Sequence, residues 1–172
     1  MAVDGTVEDV PDTPANAAAF GRQKGSRGDS AFPQLRNVYL VESGTHIICD
    51  AIVRGYQFDE RSGALRLLRS VDAQMLLMWD RGFHSFRMVH DCLARGCHFL
   101  GRVPASAILE AQEALPDGSF IAELYETPRD REKRRNGIGV RVVEYTIDDP
   151  AREGTSSRSP SPAVGMPCTE PC

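Results

Sequence analysis

Long apolar runs are missing from this chain of 172 residues. No stretch approaches the roughly 18 consecutive apolar residues of a membrane-spanning helix, so no membrane partner is expected. Neither GxxxxGK[ST] nor GxGxxG occurs, and a nucleotide-cradling loop is unsupported. Basic excess is absent as well: 20 Lys and Arg stand against 24 Asp and Glu, a formal net charge of −4. Phosphate neutralisation normally needs a basic surface, so any nucleic-acid contact has to be local. The five cysteines are an odd number with no signal peptide ahead of them. That usage excludes a disulfide scaffold and points to the reducing cytoplasm.

What remains is ordinary for one globular domain with a core, with 41% apolar and 26% charged residues. Within it, two aspartates stand at the exits of apolar runs, Ala2-Val3-Asp4-Gly5-Thr6 and Met75-Leu76-Leu77-Met78-Trp79-Asp80-Arg81-Gly82-Phe83. An aspartate at a strand end also serves simply as a turn residue. A following glycine, however, lets the backbone turn away and leaves the carboxylate facing a cleft. Two such strands side by side, about 4.8 Å apart, bring both carboxylates to one divalent ion, an arrangement suited to Mg²⁺-assisted phosphoryl transfer.

The alternation of signals along the chain predicts an α/β fold. Residues 1–4 read as a short strand and residues 8–30 as a long loop, with one helical turn around Ala15 to Phe20. Leu35 to Val41 and His46 to Val53 read as an antiparallel hairpin whose second strand is buried on both faces. Asp59 caps a helix carrying Leu65, Leu68 and Val71, and Met75 to Trp79 is a strand. A helix then runs from Phe83 to a stop at Gly96, followed by a strand from Cys97 to Val103. The first, fourth and fifth strands are expected to be parallel. Ser119 to Tyr125 and Gly139 to Ile147 read as a two-stranded extension around the charged run Arg129 to Arg135. Residues 151–172 are Ser-, Pro- and Gly-rich and are expected to be a disordered tail.

Several further words appear in order over about residues 2–150: Pro11-Asp12-Thr13, Asn16, Phe20-Gly21, Ala31-Phe32-Pro33-Gln34, Gly44-Thr45-His46, Leu115-Pro116-Asp117-Gly118-Ser119 and Val142-Val143-Glu144-Tyr145-Thr146. Together with the two aspartate motifs they resemble the catalytic domain of a bacterial insertion-sequence DDE transposase of the IS-four family. The resemblance implies a ribonuclease-H-like mixed sheet with flanking helices (1–103), incomplete at both ends. Residues 104–150 would be the start of a β-rich insertion. It implies DNA transposition, with Asp4 and Asp80 as catalytic metal ligands for Mg²⁺ or its substitute Mn²⁺. The implied partners are DNA, as element ends and target, and full-length transposase; the compartment is the bacterial cytoplasm. The family's N-terminal DNA-recognition region is not expected before Asp4, and its third acidic residue should lie beyond Tyr145, while the resemblance stops soon after Pro150. A frameshifted tail and a chain inactive on its own are the corresponding expectations.

Other candidates carry less. Tyr125 and Glu132 match the outer spacing of the family's Tyr, Arg, Glu and Lys helix, but Pro128 stands where Arg belongs and Gly139 where Lys belongs, so a solvated charged loop is preferred. Arg22, Lys24, Arg27 and Arg81 are candidate DNA-phosphate contacts, and His46 a supporting residue. His90, Cys92, Cys97 and His98 lack the spacing of a recognised zinc site and read as packing.

Overall fold

The computed structural model describes residues 1–26, 28–145 and 161–165. Its framework begins with strand β1 (Ala2–Asp9), helix α1 (Pro14–Phe20), a two-residue hairpin β2 (Lys24–Gly25) and β3 (Gly28–Asp29), and the long hairpin β4 (Gln34–Val41) and β5 (Ile48–Gly55). There follow helix α2 (Glu60–Leu67), a 3₁₀ turn (Leu68–Ser70), β6 (Leu76–Trp79), α3 (Phe86–Ala94) and β7 (His98–Arg102). The remainder is β8 (Ala111–Ala114), β9 (Phe120–Leu124), the short α4 (Pro128–Glu132), β10 (Ile138–Tyr145) and β11 (Ser161–Gly165).

Among the described residues these strands form one nine-stranded sheet in the order β5-β4-β1-β6-β7-β11-β10-β9-β8. β1, β6 and β7 are parallel, as expected, and the outer strands pair antiparallel. This mixed α/β sheet with flanking helices agrees with the ribonuclease-H-like expectation.

Each helix starts where a side-chain oxygen can satisfy a free N–H of the first turn. Thr13 accepts from Asn16 N at 3.1 Å, Asp59 from Ser62 N at 2.8 Å and Ser85 from Met88 N at 3.1 Å. Gly96, at φ 69°, supplies the left-handed residue after α3. Helices α2 and α3 cover one face of the sheet. There Val3, Val38, Leu40, Leu77, Trp79 and Phe99 are buried against Ala64, Leu67, Met88, Val89 and Cys92. α2 approaches so closely that a Cβ on Gly63 would lie 2.7 Å from Val38 Cγ2.

Strand alternation sends the intervening residues to the other face. Leu76, Leu100 and Val143 are 45%, 43% and 42% exposed there. Val53 and Ile48, at the β5 edge, are open too.

Several local expectations are corrected. β1 does not end at residue 4: it pairs with β4 along its whole length, from Ala2↔Val41 to Asp9↔Gln34. Its polar end is held by Asn37 Nδ2 donating to Glu8 at 2.9 Å and Gln34 Nε2 donating to Asp9 at 2.8 Å. β5 is not buried on both faces but is an edge strand, because an apolar run alone cannot report which neighbours exist. Helix α3 starts at Phe86 rather than Phe83, since the Ser85 cap fixes its first turn. The long loop at 8–30 contains the end of β1, α1 and the small hairpin. Pro128 begins a helix instead of opposing one, because at the first helical position its missing N–H costs nothing.

β9 and β10 pair from Ile138↔Leu124 to Val142↔Phe120, as expected. Of the tail, residues 161–165 form a strand between β7 and β10, with Ala163 and Val164 buried. The remaining residues of the expected disordered segment lie outside the described residues.

The lone tryptophan reports on this core. Trp79 stacks on Phe99 with ring centroids 5.4 Å apart, and its indole occupies the space where a Cβ on Gly101 of the adjacent strand would lie. Gly101→Ala should therefore destabilise the fold by about 1–3 kcal/mol and change the intrinsic fluorescence in the folded baseline. Urea unfolding followed at the tryptophan emission checks both.

Candidate functional site

The last β1–β6 register pair is Val3↔Trp79, so Asp4 and Asp80 come next on adjacent parallel strands. The next strand continues the row: Trp79 pairs with Gly101, which makes Arg102 level with Asp80. Both carboxylates are exposed, and both line one open cavity of about 500 Å³. Its walls include Met78, Leu100, Ala163, Arg102 and Tyr145. One oxygen of each aspartate is engaged locally. Asp4 Oδ1 accepts from the Gly5 N–H at 2.8 Å, and Asp80 Oδ1 from the Arg81 N–H at 2.7 Å. Asp80 Oδ1 also lies 3.2 Å from Arg102 Nη1.

A second layer presents the two aspartates. Gly5 does not turn the chain, as β1 runs on past it. Its role is close approach: a Cβ there would lie 2.8 Å from Glu60 Oε1 and 3.4 Å from the Phe83 ring. Glu60 in turn pairs with Arg36 at 3.1 Å. The turn after Asp80 is closed by Phe83 N–H donating to Asp80 O at 2.9 Å and by Arg61 Nε donating to Gly82 O at 2.8 Å. The first turn of α2 thus touches both aspartate-bearing segments.

His84 is 8% exposed beneath this turn, and its Nδ1 has no hydrogen-bond partner among the described residues. Burial first, and the Arg61 charge second, lower its pKa below the ordinary 6.5.

The other candidates among the described residues do not line the cleft. Arg22 is bound to Asp12 and donates to Ser30 O at 3.1 Å and to Ala31 O, which pins the 8–30 loop. Lys24 is exposed on β2, and Arg27 lies outside the described residues. Arg81 is exposed beside Asp80 but is not part of the cavity wall. His46 occupies the β4–β5 turn at φ 61°, beyond the Val41↔Ala2 pair and away from the end where Asp80 emerges. Glu132 is exposed on α4 and also outside the cavity wall.

Among the described residues no group of three or more His, Cys, Asp or Glu is placed to hold a metal. The reading of Cys92 and Cys97 as packing agrees with their full burial, with Cys97 Sγ donating to Cys92 O at 3.3 Å. Burial pushes both thiols up, against the thiolate a metal needs.

Arg102 has no motif of its own in the sequence, and Tyr145 stands there only within a family word. The alternation His98-Phe99-Leu100-Gly101-Arg102 carries a usable signal, because it puts Leu100 and Arg102 on the face opposite Phe99. No sequence pattern shows that this face meets Asp80.

The mixed sheet with flanking helices places the chain in the ribonuclease-H-like fold class. The chain belongs to the transposase DDE domain family, whose model matches residues 1–160. It is similar to transposase InsG for insertion sequence element IS4 of Escherichia coli, 28% identical over 145 residues, covering 83% of this chain and 33% of the relative. It is also similar to the putative transposase InsZ of Escherichia coli, 23% identical over 163 residues, covering 86% of this chain and 54% of the relative. The chain thus spans about a third and about half the length of these relatives. No helix among the described residues is long and apolar enough to cross a membrane.

The buried His84 yields a pH test. Its folded pKa is depressed, so its neutral form supports stability above 6.5, and that support is lost as pH falls from 6.5 through the folded value. Removing the neighbouring cation in Arg61→Ala should move the His84 midpoint upward, yet leave it below 6.5 because burial remains. Imidazole NMR titration of both proteins checks the direction.

Proposed function

We propose that the chain is part of the catalytic domain of a DNA transposase, with residues 1–103 as the metal-binding core and 104–150 as the start of an inserted β-rich segment. The observation that carries this reading is the pair of exposed carboxylates level with each other at one cavity. Asp4 and Asp80 each keep an oxygen not engaged by a backbone N–H, and this donor set fits one Mg²⁺ or Mn²⁺ completed by water. Such an ion, when bound, supplies Lewis-acid activation of a phosphodiester and of the attacking water or 3′-hydroxyl.

The chain's own contribution is positional. β1 and β6 set the two carboxylates at one level, and the first turn of α2 holds the segments that follow them. The substrate is DNA at element ends and then at a target site, and the compartment is the bacterial cytoplasm.

No third carboxylate lines the cavity among the described residues. Two-ion catalysis needs more oxygen ligands than two aspartates offer. With only Asp4 and Asp80 assigned as ligands, this reading takes the chain by itself as inactive or nearly so. Purified protein incubated with Mg²⁺ or Mn²⁺ and end-bearing duplex DNA should show no cleavage above background. Strong cleavage abolished by Asp80→Ala would overturn the assignment of inactivity.

A second reading is favoured by the open sheet face: the chain associates with full-length transposase and lowers its activity. Parallel strands normally have both faces covered, yet Leu76 and Leu100 on β6 and β7 are 45% and 43% exposed. Co-expression with a full-length relative should depress transposition, and Leu100→Glu should relieve that inhibition. An unchanged transposition frequency rejects this reading.

A further inference from the structure

We propose that Arg102 is the exchangeable counter-ion of Asp80. Its guanidinium holds the carboxylate while no metal is bound, yields that oxygen to a divalent cation, and then takes a phosphate oxygen of DNA lying in the cleft. This rests on the reading of Asp4 and Asp80 as metal ligands.

The register places Arg102 in the row of the two aspartates, one strand beyond Asp80. Among the described residues it is the cation in the wall of the cavity, whose other charged members are Asp4 and Asp80. Bare, the two carboxylates repel a phosphodiester; Arg102 neutralises one of them.

Its contact is built to break. Arg102 Nη1 meets Asp80 Oδ1 through one approach of 3.2 Å, with the side chains 47% and 58% exposed. A structural pair in the same molecule looks different. Arg69 donates from Nε and Nη2 to both oxygens of Asp50 at 2.9 and 2.7 Å, Ser70 adds a third bond at 2.7 Å, and Asp50 is only 13% exposed. That network holds the Asp50 carboxyl at about 2, well below the ordinary carboxylate range, with the Arg69 hydrogen bond as its largest cause.

An exposed single contact is weak and screened by solvent. A doubly charged ion at the same oxygens displaces it, since it attracts both aspartates at once. The freed guanidinium keeps its fork of N–H donors, the geometry that matches a phosphate. Leu100 and Ala163 beside it give the cavity an apolar floor, which reduces competition from water. Arg22 cannot serve in this way because its donors are already committed to Asp12 and to loop carbonyls.

The test compares wild type, Arg102→Gln, Arg102→Lys and Asp80→Ala, each confirmed as folded by circular dichroism. Mn²⁺ affinity is measured by calorimetry. Binding of a fluorescent end-bearing duplex is measured by anisotropy across a salt series, with Ca²⁺ present and with EDTA. Arg102→Gln should bind Mn²⁺ about two- to five-fold tighter, because the competing cation is gone. It should also bind DNA more weakly in Ca²⁺, with the slope of log K against log salt reduced by about 1. Arg102→Lys should fall between the two, as it keeps the charge without the fork.

Equal or weaker Mn²⁺ binding by Arg102→Gln, with wild-type binding intact, overturns the exchange. An unchanged salt slope overturns the phosphate contact. Mn²⁺ binding that is absent from wild type, or untouched by Asp80→Ala, sinks the metal reading of the acidic pair, and this inference with it.

Discussion

The parallel pairing of β1 with β6 is the constraint on which the rest of the structure depends. Only Ala2↔Met78 and Val3↔Trp79 define it, yet those two pairs put Asp4 level with Asp80 and both on the open face. What fixes that register is the opposite face, where Val3, Leu77, Trp79 and Phe99 are buried under α2 and α3. A slip of one residue would bury the aspartate and expose the valine, so the hydrophobic pattern holds the acidic pair in place. The β1–β4 ladder, running the full length of β1, stiffens the strand that carries Asp4.

Electrostatics in the cleft follow from the same geometry. β7 lies beside β6 in parallel, and its last residue, Arg102, enters the row as a cation next to two carboxylates. The overall charge of −4 is therefore a poor guide to this surface, where the balance among the described residues is two acids against one base. The first turn of α2 contributes from below: Glu60 packs under Gly5 and Arg61 holds the carbonyl of Gly82. The same helix terminus thus supports both segments that present the acids.

Among the described residues the sheet has one finished face and one open face. Parallel strands are ordinarily covered on both sides, and here the helices of the described residues cover one. The relatives are about two and three times as long as the matched part of this chain, since that part covers 54% and 33% of them. Leu76, Leu100 and Val143 lie on the face that the described helices leave open.

Much of the core was legible in the sequence because it rests on local rules. The Asp59 cap, the stop at Gly96, the Leu76–Trp79 strand and the parallel relation of the strands around it all follow from periodicity, capping and chirality. Family words around Asp4 and Asp80 pointed to the transposase DDE domain family. Less legible were the features set by non-local neighbours. β5 has the composition of a buried strand but stands at an edge, and Ala163-Val164 sits in a Ser- and Pro-rich segment yet completes the sheet between β7 and β10. Arg102 looks like any surface arginine until β7 is laid beside β6. By itself, the sequence determined which residues carry charge and which prefer helix or strand, because those are properties of short stretches. Only the tertiary structure decided which charges meet, because strand order and register are set by packing between residues far apart in the chain.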